Sequence, residues 1–318
     1  MPEQRFDDPH HLAGAKVIVG VDGSDGSWSA LRWAARFAAE RGRELEILHG
    51  MDLMATSRVP GGYEVVISSV IDAIREQGRD VVARADRLAR SVAPELRISA
   101  HATTDTGSQL LVERSAEAYA VVVGATGNAG TAVHLGSTLL AVTAHASGTV
   151  VVVRADPDAE VTVHASGPVV VGVDGSPVGE AAIAAAFTEA SERAAALVAV
   201  HVWSDWASGR FAGHTTLSED ELDTVEQAIL AERLAGWQEK FPEVRVSRKV
   251  EVSAPAPHLL SWSKIAQLIV VGSRGRGGFA GMLLGSTANT LVQHASCPVM
   301  VVHRRDPHER RGKPGESR

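Results

Sequence analysis

Short apolar runs alternate with longer amphipathic stretches along most of this 318-residue chain. The runs are built from Val, Ile and Leu without polar alternation, which is typical of strands that helices cover on both faces of a parallel sheet. In the first half the pattern predicts strands at 16–21, 44–49, 96–103, 119–124 and 149–154, and helices at 27–41, 64–92, 107–117 and 135–146. The same order recurs from 168 to 304 and predicts a doubly wound α/β fold.

Two glycine-containing blocks are each written twice in the sequence. The block "VIVGVDGSDGS" at 17–27 recurs as "VVVGVDGSPVG" at 169–179, an offset of 152. The block "VVVGATGNAGTAVHLGSTL" at 121–139 recurs as "IVVGSRGRGGFAGMLLGST" at 269–287, with a loop one residue shorter in the first half. Such matches at nearly equal offsets predict two copies of one domain.

The segments between and around the two copies differ in composition from them. We place the domains at 14–155 and 168–304, joined by the linker "RADPDAEVTVHASG". The ends at 1–13 and 305–318 are charged and contain proline, so we expect flexible termini.

Composition narrows the class of protein. A content of 45% hydrophobic residues supports two ordinary cores, and a net charge of -7 argues against a general nucleic-acid binder. The single Cys297 excludes an intramolecular disulfide and a cysteine-rich zinc site. No run approaches ~18 apolar residues and the start lacks the apolar core of a secretory signal. We therefore expect a cytoplasmic protein without a membrane span.

The stretch "VVGSRGRGGFAGMLLGSTANTLV" at 270–292 places a glycine-rich loop between the fourth strand of the second copy and a helix. Ligands of open parallel sheets bind outside the carboxyl ends of the strands. A loop that enters a helix presents unpaired amides to an anion, and glycine allows close approach. The alternative is a turn that only reverses the chain.

Two familiar glycine motifs do not fit this loop. A P-loop needs Lys and then Ser or Thr after its final glycine, and neither copy has them. The dinucleotide fingerprint needs a tighter spacing, which Gly275, Gly277 and Gly281 miss by one residue.

The spacing Gly272, two residues, Gly275, nine residues, Gly285 and Ser286 resembles the ATP-binding pattern of the universal stress protein family. The duplicated length and "LAERLAGWQEKFP" at 230–242 resemble the tandem stress proteins of actinobacteria. The resemblance covers about residues 14–304. It implies a five-stranded parallel sheet of order 3-2-1-4-5 in each copy, with the last strands pairing between copies, and it implies ATP binding.

The resemblance also implies which residues surround the nucleotide. The glycine loops, with Ser and Thr at the helix entrance, would hold the phosphates, and the aspartate after the first strand would lie near the ribose and a possible Mg²⁺. In the second copy these residues are Gly172, Asp174, Val202 (backbone, at the adenine), Gly272, Ser273, Arg274, Gly275, Arg276, Gly277, Gly278, Gly285, Ser286 and Thr287. In the first copy they are Gly20, Asp22, Gly124, Gly127, Asn128, Gly130, Gly136, Ser137 and Thr138, with eight rather than nine residues between Gly127 and Gly136.

Other interpretations of single residues stand beside these. Asp22 and Asp174 lie in "VDGS", which is also an ordinary helix-cap sequence. His49 and His201 end the second strand of each copy, where a histidine is either packed and hydrogen-bonded or a base.

We expect an ATP-binding protein that regulates growth and survival under stress, such as hypoxia or dormancy, through nucleotide-dependent interactions. A homodimer and an unidentified regulatory protein partner are expected as well. A slow metal-dependent ATPase is the second hypothesis, although hydrolysis needs a base that the sequence does not offer. A nucleotide-free interaction module is the third.

Overall fold

A computed structural model describes residues 14–53, 64–126, 136–154, 166–203, 219–276 and 283–303. Within these ranges the chain forms ten strands and eight helices, and the predicted tandem, doubly wound α/β fold is confirmed. The termini and most of the linker lie outside the described residues. No helix in the described part is long and apolar enough to cross a membrane.

The elements of the first half follow the predicted order, with boundaries within about two residues of those expected. They are β1 Val17–Gly20, α1 Asp25–Glu40, β2 Leu45–Gly50, α2 Glu64–Val92, β3 Ile98–Thr103, α3 Gly107–Ser115, β4 Ala120–Gly124, α4 Ser137–His145 and β5 Thr149–Val153.

The second half repeats this order. Its elements are β6 Val169–Val173, α5 Pro177–Glu192, β7 Leu197–Trp203, α6 Glu219–Lys240, β8 Val246–Val252, α7 Pro255–Ser263, β9 Leu268–Gly272, α8 Ser286–His294 and β10 Val299–Val302.

All ten strands belong to one sheet of order β3-β2-β1-β4-β5-β10-β9-β6-β7-β8. Each half therefore has the predicted order 3-2-1-4-5, and its strands are parallel. The halves join where β5 pairs antiparallel with β10, with Val151 opposite Met300. These two residues occupy the same place in their own halves, so the junction is pseudo-symmetric.

The apolar strands are buried on both sides of the sheet, as their composition predicts. In β1, Val17 and Val19 belong to one hydrophobic cluster, while Ile18 belongs to the cluster on the opposite face. Successive strand residues point to opposite faces, so only strands covered on both sides need apolar residues at every position. The apolar residues on both faces of the sheet therefore require a layer of helices on each side.

A buried ion pair links the two halves beside the sheet junction. The Arg41 Nη2 at the end of α1 donates to Glu189 Oε2 of α5 at 2.6 Å, and Arg193 Nε donates to the same oxygen at 3.1 Å. The side chains of Arg41 and Glu189 are only 4% and 3% exposed. The Arg41 guanidinium also lies 3.8 Å from the ring centre of Phe37. Each half thus provides part of one desolvated charge network.

The residue after each last strand reaches the last helix of the other half. Arg154 donates from Nη2 to the carbonyls of Val292 (3.0 Å) and Gln293 at the carboxyl end of α8. The corresponding His303 lies with Nε2 2.8 Å from the Thr143 carbonyl of α4. Burial lowers the pKa of His303, although its two carbonyl neighbours act in the opposite direction.

We predict that Glu189→Gln lowers the free energy of unfolding by about 3 kcal/mol, because it removes the buried anion that Arg41 and Arg193 share. Urea denaturation measures the change. Glu40→Gln is the control: Glu40 contacts the same arginine at 3.4 Å but is 58% exposed. Glu40→Gln should lower the free energy of unfolding by less than ~1 kcal/mol. An equal decrease in the two variants would contradict the role given to the buried pair.

His303 should make the free energy of unfolding depend on pH. Because its pKa is lowered in the folded state from 6.5, the unfolded chain takes up this proton first as the pH falls. The stability contribution is complete above pH 6.5 and is lost as the pH falls through the folded-state pKa. Unfolding curves between pH 7.5 and about 5 should therefore show a smaller loss for His303→Gln than for wild type. The exposed His294→Gln should keep the wild-type slope; identical slopes in all three proteins would refute this.

Candidate functional site

The turn after the first strand and the loop after the fourth meet at the carboxyl edge of the sheet in each half. In the second half, Asp174 Oδ1 accepts hydrogen bonds from the Ser176 N–H (3.0 Å) and hydroxyl (2.8 Å). Its Oδ2 accepts from the Arg276 N–H of the glycine loop at 3.1 Å. The predicted aspartate and loop are therefore in direct contact.

The helix cap belongs to the serine and not to the aspartate. Ser176 is the N-cap of α5, and its hydroxyl accepts from the Gly179 N–H at 2.9 Å. Ser24 caps α1 in the same way through the Ser27 N–H. The aspartate supports this cap through the serine, and Asp174 uses its second oxygen for the loop. The cap interpretation is therefore wrong for the aspartate itself, and its ligand role stays a prediction.

Helices α4 and α8, which follow the glycine loops, begin without a side-chain cap. Their N-cap residues are Gly136 and Gly285, and among the described residues no side-chain hydrogen bond caps the first turn of either helix. Ser137, Thr138, Ser286 and Thr287 stand in these first turns. In the second half the loop is closed at its base, where the Gly285 N–H donates to the Ser273 carbonyl at 2.8 Å. Uncapped amides at a helix start are donors for an anion.

Close backbone approach explains several glycines. A Cβ at Gly275 would lie 2.6 Å from Asp174 Oδ2, so any side chain there would displace the carboxylate. A Cβ at Gly124 would lie 2.6 Å from the carbonyl carbon of Gly26. Gly20 and Gly172 have a different reason, since a Cβ there would meet Leu111 at 2.6 Å and Leu259 at 3.2 Å. These last two predicted site glycines pack beneath helices α3 and α7.

In the first half the turn contacts the residues that follow β4. Asp22 Oδ1 accepts from the Ser24 N–H (3.0 Å) and hydroxyl (2.5 Å), and the Ser24 hydroxyl lies 3.4 Å from the Thr126 carbonyl. A Cβ at Gly26 would collide with the Thr126 carbonyl oxygen. The second half has Val178 at the place that corresponds to Gly26.

A cavity of about 340 Å³ opens beside Asp174 between the ends of β6 and β7 and helix α6. It is lined by Val173, His201, Glu226, Ile229, Leu230, Glu232, Arg233 and Arg276. His201 Nδ1 lies 2.7 Å from the Val173 carbonyl and Nε2 3.1 Å from Glu226 Oε2. Another cavity, of about 280 Å³ near Gly42 and Pro94, lies at the opposite, amino edge of the sheet.

The two strand-end histidines share one anchoring contact. His49 Nδ1 lies 2.8 Å from the Val21 carbonyl, as His201 does from Val173. This geometry corresponds to the packed interpretation of both residues.

Burial raises the pKa of Cys297 to about 12, which keeps its thiol protonated.

Some of the remaining predicted residues lie in the described part of the chain, and others lie outside it. Val202 lies within β7, opposite Glu251 of β8, and Arg274 is exposed beside the buried Ser273. Gly127, Asn128, Gly130, Gly277 and Gly278 lie outside the described residues. In the part that is described, no group of three or more His, Cys, Asp or Glu side chains forms a metal site.

Sequence reasoning missed three side chains that line the cavity or support it. Arg233 and Glu226 come from α6, and Glu180, from α5, accepts from Arg233 Nη1 at 2.5 Å. Arg233 lies in "LAERLAGWQEKFP", which carries the family resemblance, but no site role followed from that stretch. The repeat gives no signal for Glu180 either, since the residue 152 positions earlier is Trp28.

A sequence profile of the universal stress protein family matches residues 15–154 and 166–303. The chain belongs to the universal stress protein family. A universal stress protein of Mycolicibacterium smegmatis is 41% identical over 293 residues, which are 91% of this chain and 97% of that protein. Universal stress protein Rv2005c of Mycobacterium tuberculosis is 40% identical over 289 residues, covering 90% and 96% of the two chains. The tandem stress-protein resemblance is therefore confirmed.

Solved structures of universal stress proteins share the fold. The crystal structure of a universal stress protein from Archaeoglobus fulgidus covers 92% of this chain and 99% of its own, with a TM-score of 0.68 at 19% identity. A universal stress protein solved in complex with cAMP covers 43% of this chain and 98% of its own, with a TM-score of 0.31 at 22% identity. The cAMP complex is a property of that protein.

We predict that Gly124→Ala destabilises the protein by about 1–3 kcal/mol, because the new Cβ has to displace the backbone of Gly26. Gly136→Ala is the control, since no atom of the described residues lies within 4 Å of a Cβ there. Thermal and urea unfolding compare the two. A Gly124→Ala protein as stable as wild type would mean that β4 and the start of α1 do not approach this closely.

Proposed function

We propose that this universal stress protein binds ATP, with one site at the carboxyl edge of the sheet in each half. Occupancy would control its interactions with an unidentified regulatory partner, and so growth and survival under stress. The same edge carries the turn aspartate, the glycine loop and the uncapped helix start in both halves. A homodimer of the tandem chain is part of the proposal.

The observation that carries the proposal is the pair of helix starts at Gly136 and Gly285. Helices α1 and α5, at the neighbouring turns, have a serine cap that satisfies first-turn amides, whereas α4 and α8 begin at glycine without one. A phosphate group is a fitting acceptor for such amides, and the helix dipole adds to the attraction. Ser286 and Thr287, with Ser137 and Thr138, add hydroxyl donors at the same positions.

Asp174 would bind the ribose or a cation of the ligand beside these amides. Its Oδ2 accepts one backbone N–H, and a carboxylate oxygen has a further lone pair for a ribose hydroxyl or a cation. Mg²⁺ is commonly held by one or two carboxylates together with nucleotide phosphates, and Asp22 and Asp174 fit that role. Bound Mg²⁺ would neutralise phosphate charge at this edge.

Isothermal titration of the purified, nucleotide-stripped protein with ATP tests the proposal. We expect two sites per chain, and mass spectrometry of the untreated protein should show released ATP or ADP. Gly275→Ala should weaken the second site by more than about tenfold, or 1.4 kcal/mol, because its Cβ displaces Asp174. Gly236→Ala on α6 is the control, since nothing lies within 4 Å of a Cβ there.

Stripped wild-type protein that never takes up ATP would overturn the proposal. Chromatography of the nucleotide after the titration separates binding from turnover, because a slow ATPase would leave ADP. Equal loss of affinity in Gly275→Ala and Gly236→Ala would show that the loop does not form the site.

A further inference from the structure

Two guanidinium groups meet above the backbone of Gly175 in the second half. Gly175 has a φ of +69°, and a Cβ there would collide with Arg276 Nη2 and lie 2.7 Å from Arg233 Cζ. Arg276 comes from the glycine loop and Arg233 from α6, and both line the 340 Å³ cavity. Two like charges from separate elements are thus held side by side at the mouth of a cavity.

In the described part of the chain, a carboxylate pairs with only one of the two guanidinium groups. Arg233 Nη1 donates to Glu180 Oε1 at 2.5 Å. Asp174, next to Gly175, uses its oxygens for Ser176 and for the Arg276 backbone N–H. Within the described part of the chain, the Arg276 guanidinium has no hydrogen-bond partner.

The lining of the cavity also contains two carboxylates. Glu226 lies 3.1 Å from His201 Nε2, and Glu232, next to Arg233, is exposed on α6. Like charges in close contact repel, and an anion between them removes that cost.

The arginine pair is continuous with the glycine loop. Asp174 follows β6 directly and touches the position that a Cβ of Gly275 would take, and a Cβ at Gly285 would lie 3.7 Å from the Gly275 N. A phosphate chain that starts at the cavity and ends at the uncapped start of α8 passes the two arginines. Planar guanidinium groups bind phosphate oxygens in pairs, with a geometry that lysine does not offer.

The described part of the first half shows no such pair. A Cβ at Gly23, the counterpart of Gly175 by the offset of 152, would meet Val81 at 3.6 Å, and no guanidinium of the described residues lies within 4 Å of it. Arg84 on α2 lies instead 5.0 Å from the ring centre of Trp28. The residue that matches Arg276 in the aligned loops is Asn128, which has no charge.

We propose that Arg233 and Arg276 form a paired guanidinium site for the phosphate chain of the nucleotide, which makes the second half select ligands by their number of phosphates. The first half distinguishes ATP from AMP only weakly. This inference rests on the proposed nucleotide binding and adds the phosphate specificity of the second half.

Titrations of the full chain with AMP, ADP and ATP at a fixed Mg²⁺ concentration test it. Wild type should show one site whose affinity rises steeply from AMP to ATP, and one with a shallow rise. Arg233→Gln and Arg276→Gln should each weaken ATP binding at the steep site by about 10–100-fold and change AMP binding by less than about threefold. Arg276→Lys should restore only part of the ATP affinity, since it keeps the charge without the paired geometry.

Two matched controls remove an arginine elsewhere. Arg84→Gln removes an exposed arginine on α2 of the first half, and Arg248→Gln removes an exposed arginine on β8. Both should leave the ratio of ATP to AMP affinity unchanged, and thermal unfolding checks that every variant is folded. A changed ratio in Arg84→Gln would overturn the proposed difference between halves.

The outcomes separate this inference from the proposed function. If wild type binds no nucleotide, the proposed function fails and the inference fails with it. If wild type binds ATP and both arginine variants keep the wild-type ratio, only the inference is wrong. If the variants lose AMP and ATP binding equally, the arginines shape the cavity and do not read the phosphates.

Discussion

The antiparallel pairing of β5 with β10 is the constraint on which the rest of the structure depends. It converts two five-stranded sheets into one sheet of ten strands and places Val151 opposite its counterpart Met300. An unpaired apolar edge strand is a liability, and here each half covers the edge of the other. The pairing also brings α1 and α5 together, so Glu189 can accept from both Arg41 and Arg193. The buried charge network follows from the strand pairing.

Most of the fold could be predicted from the sequence because its signals are local and repeated. Runs such as "VIVG" and "VVVG" have no polar position. Only a strand that is covered on both faces needs apolar residues at every position. The edge pairing of the last strands followed from the family resemblance. The Arg41–Glu189 contact could not be predicted, because the partners are far apart in sequence and each is an ordinary charged residue at the end of a helix.

The site was predictable in its glycines and much less in its charges. The spacing of Gly272, Gly275 and Gly285 marks the loop, and the contact of Gly275 with Asp174 gives one of these glycines a steric reason. The family resemblance gave Gly20 and Gly172 a ligand role, which stays a prediction; packing against Leu111 and Leu259 explains why these positions are glycine. Arg233 lies in a stretch that resembles the family, but its place in the site could not be predicted, since a helix residue reaches the cavity only through the packing of α6.

Divergence between the halves has changed charges while keeping the backbone. Helices α4 and α8 each have their amino end at a glycine loop and their carboxyl end against a residue of the other half. Arg154 places a permanent positive charge at the end of α8, where the dipole favours a cation. His303 occupies the same place on α4, but burial lowers its pKa and favours the neutral ring. The helix that begins at the loop of the second half is therefore the one with favourable charge at its far end. The paired arginines lie in that same half, so its helix and its cavity favour an anion at the same edge of the sheet.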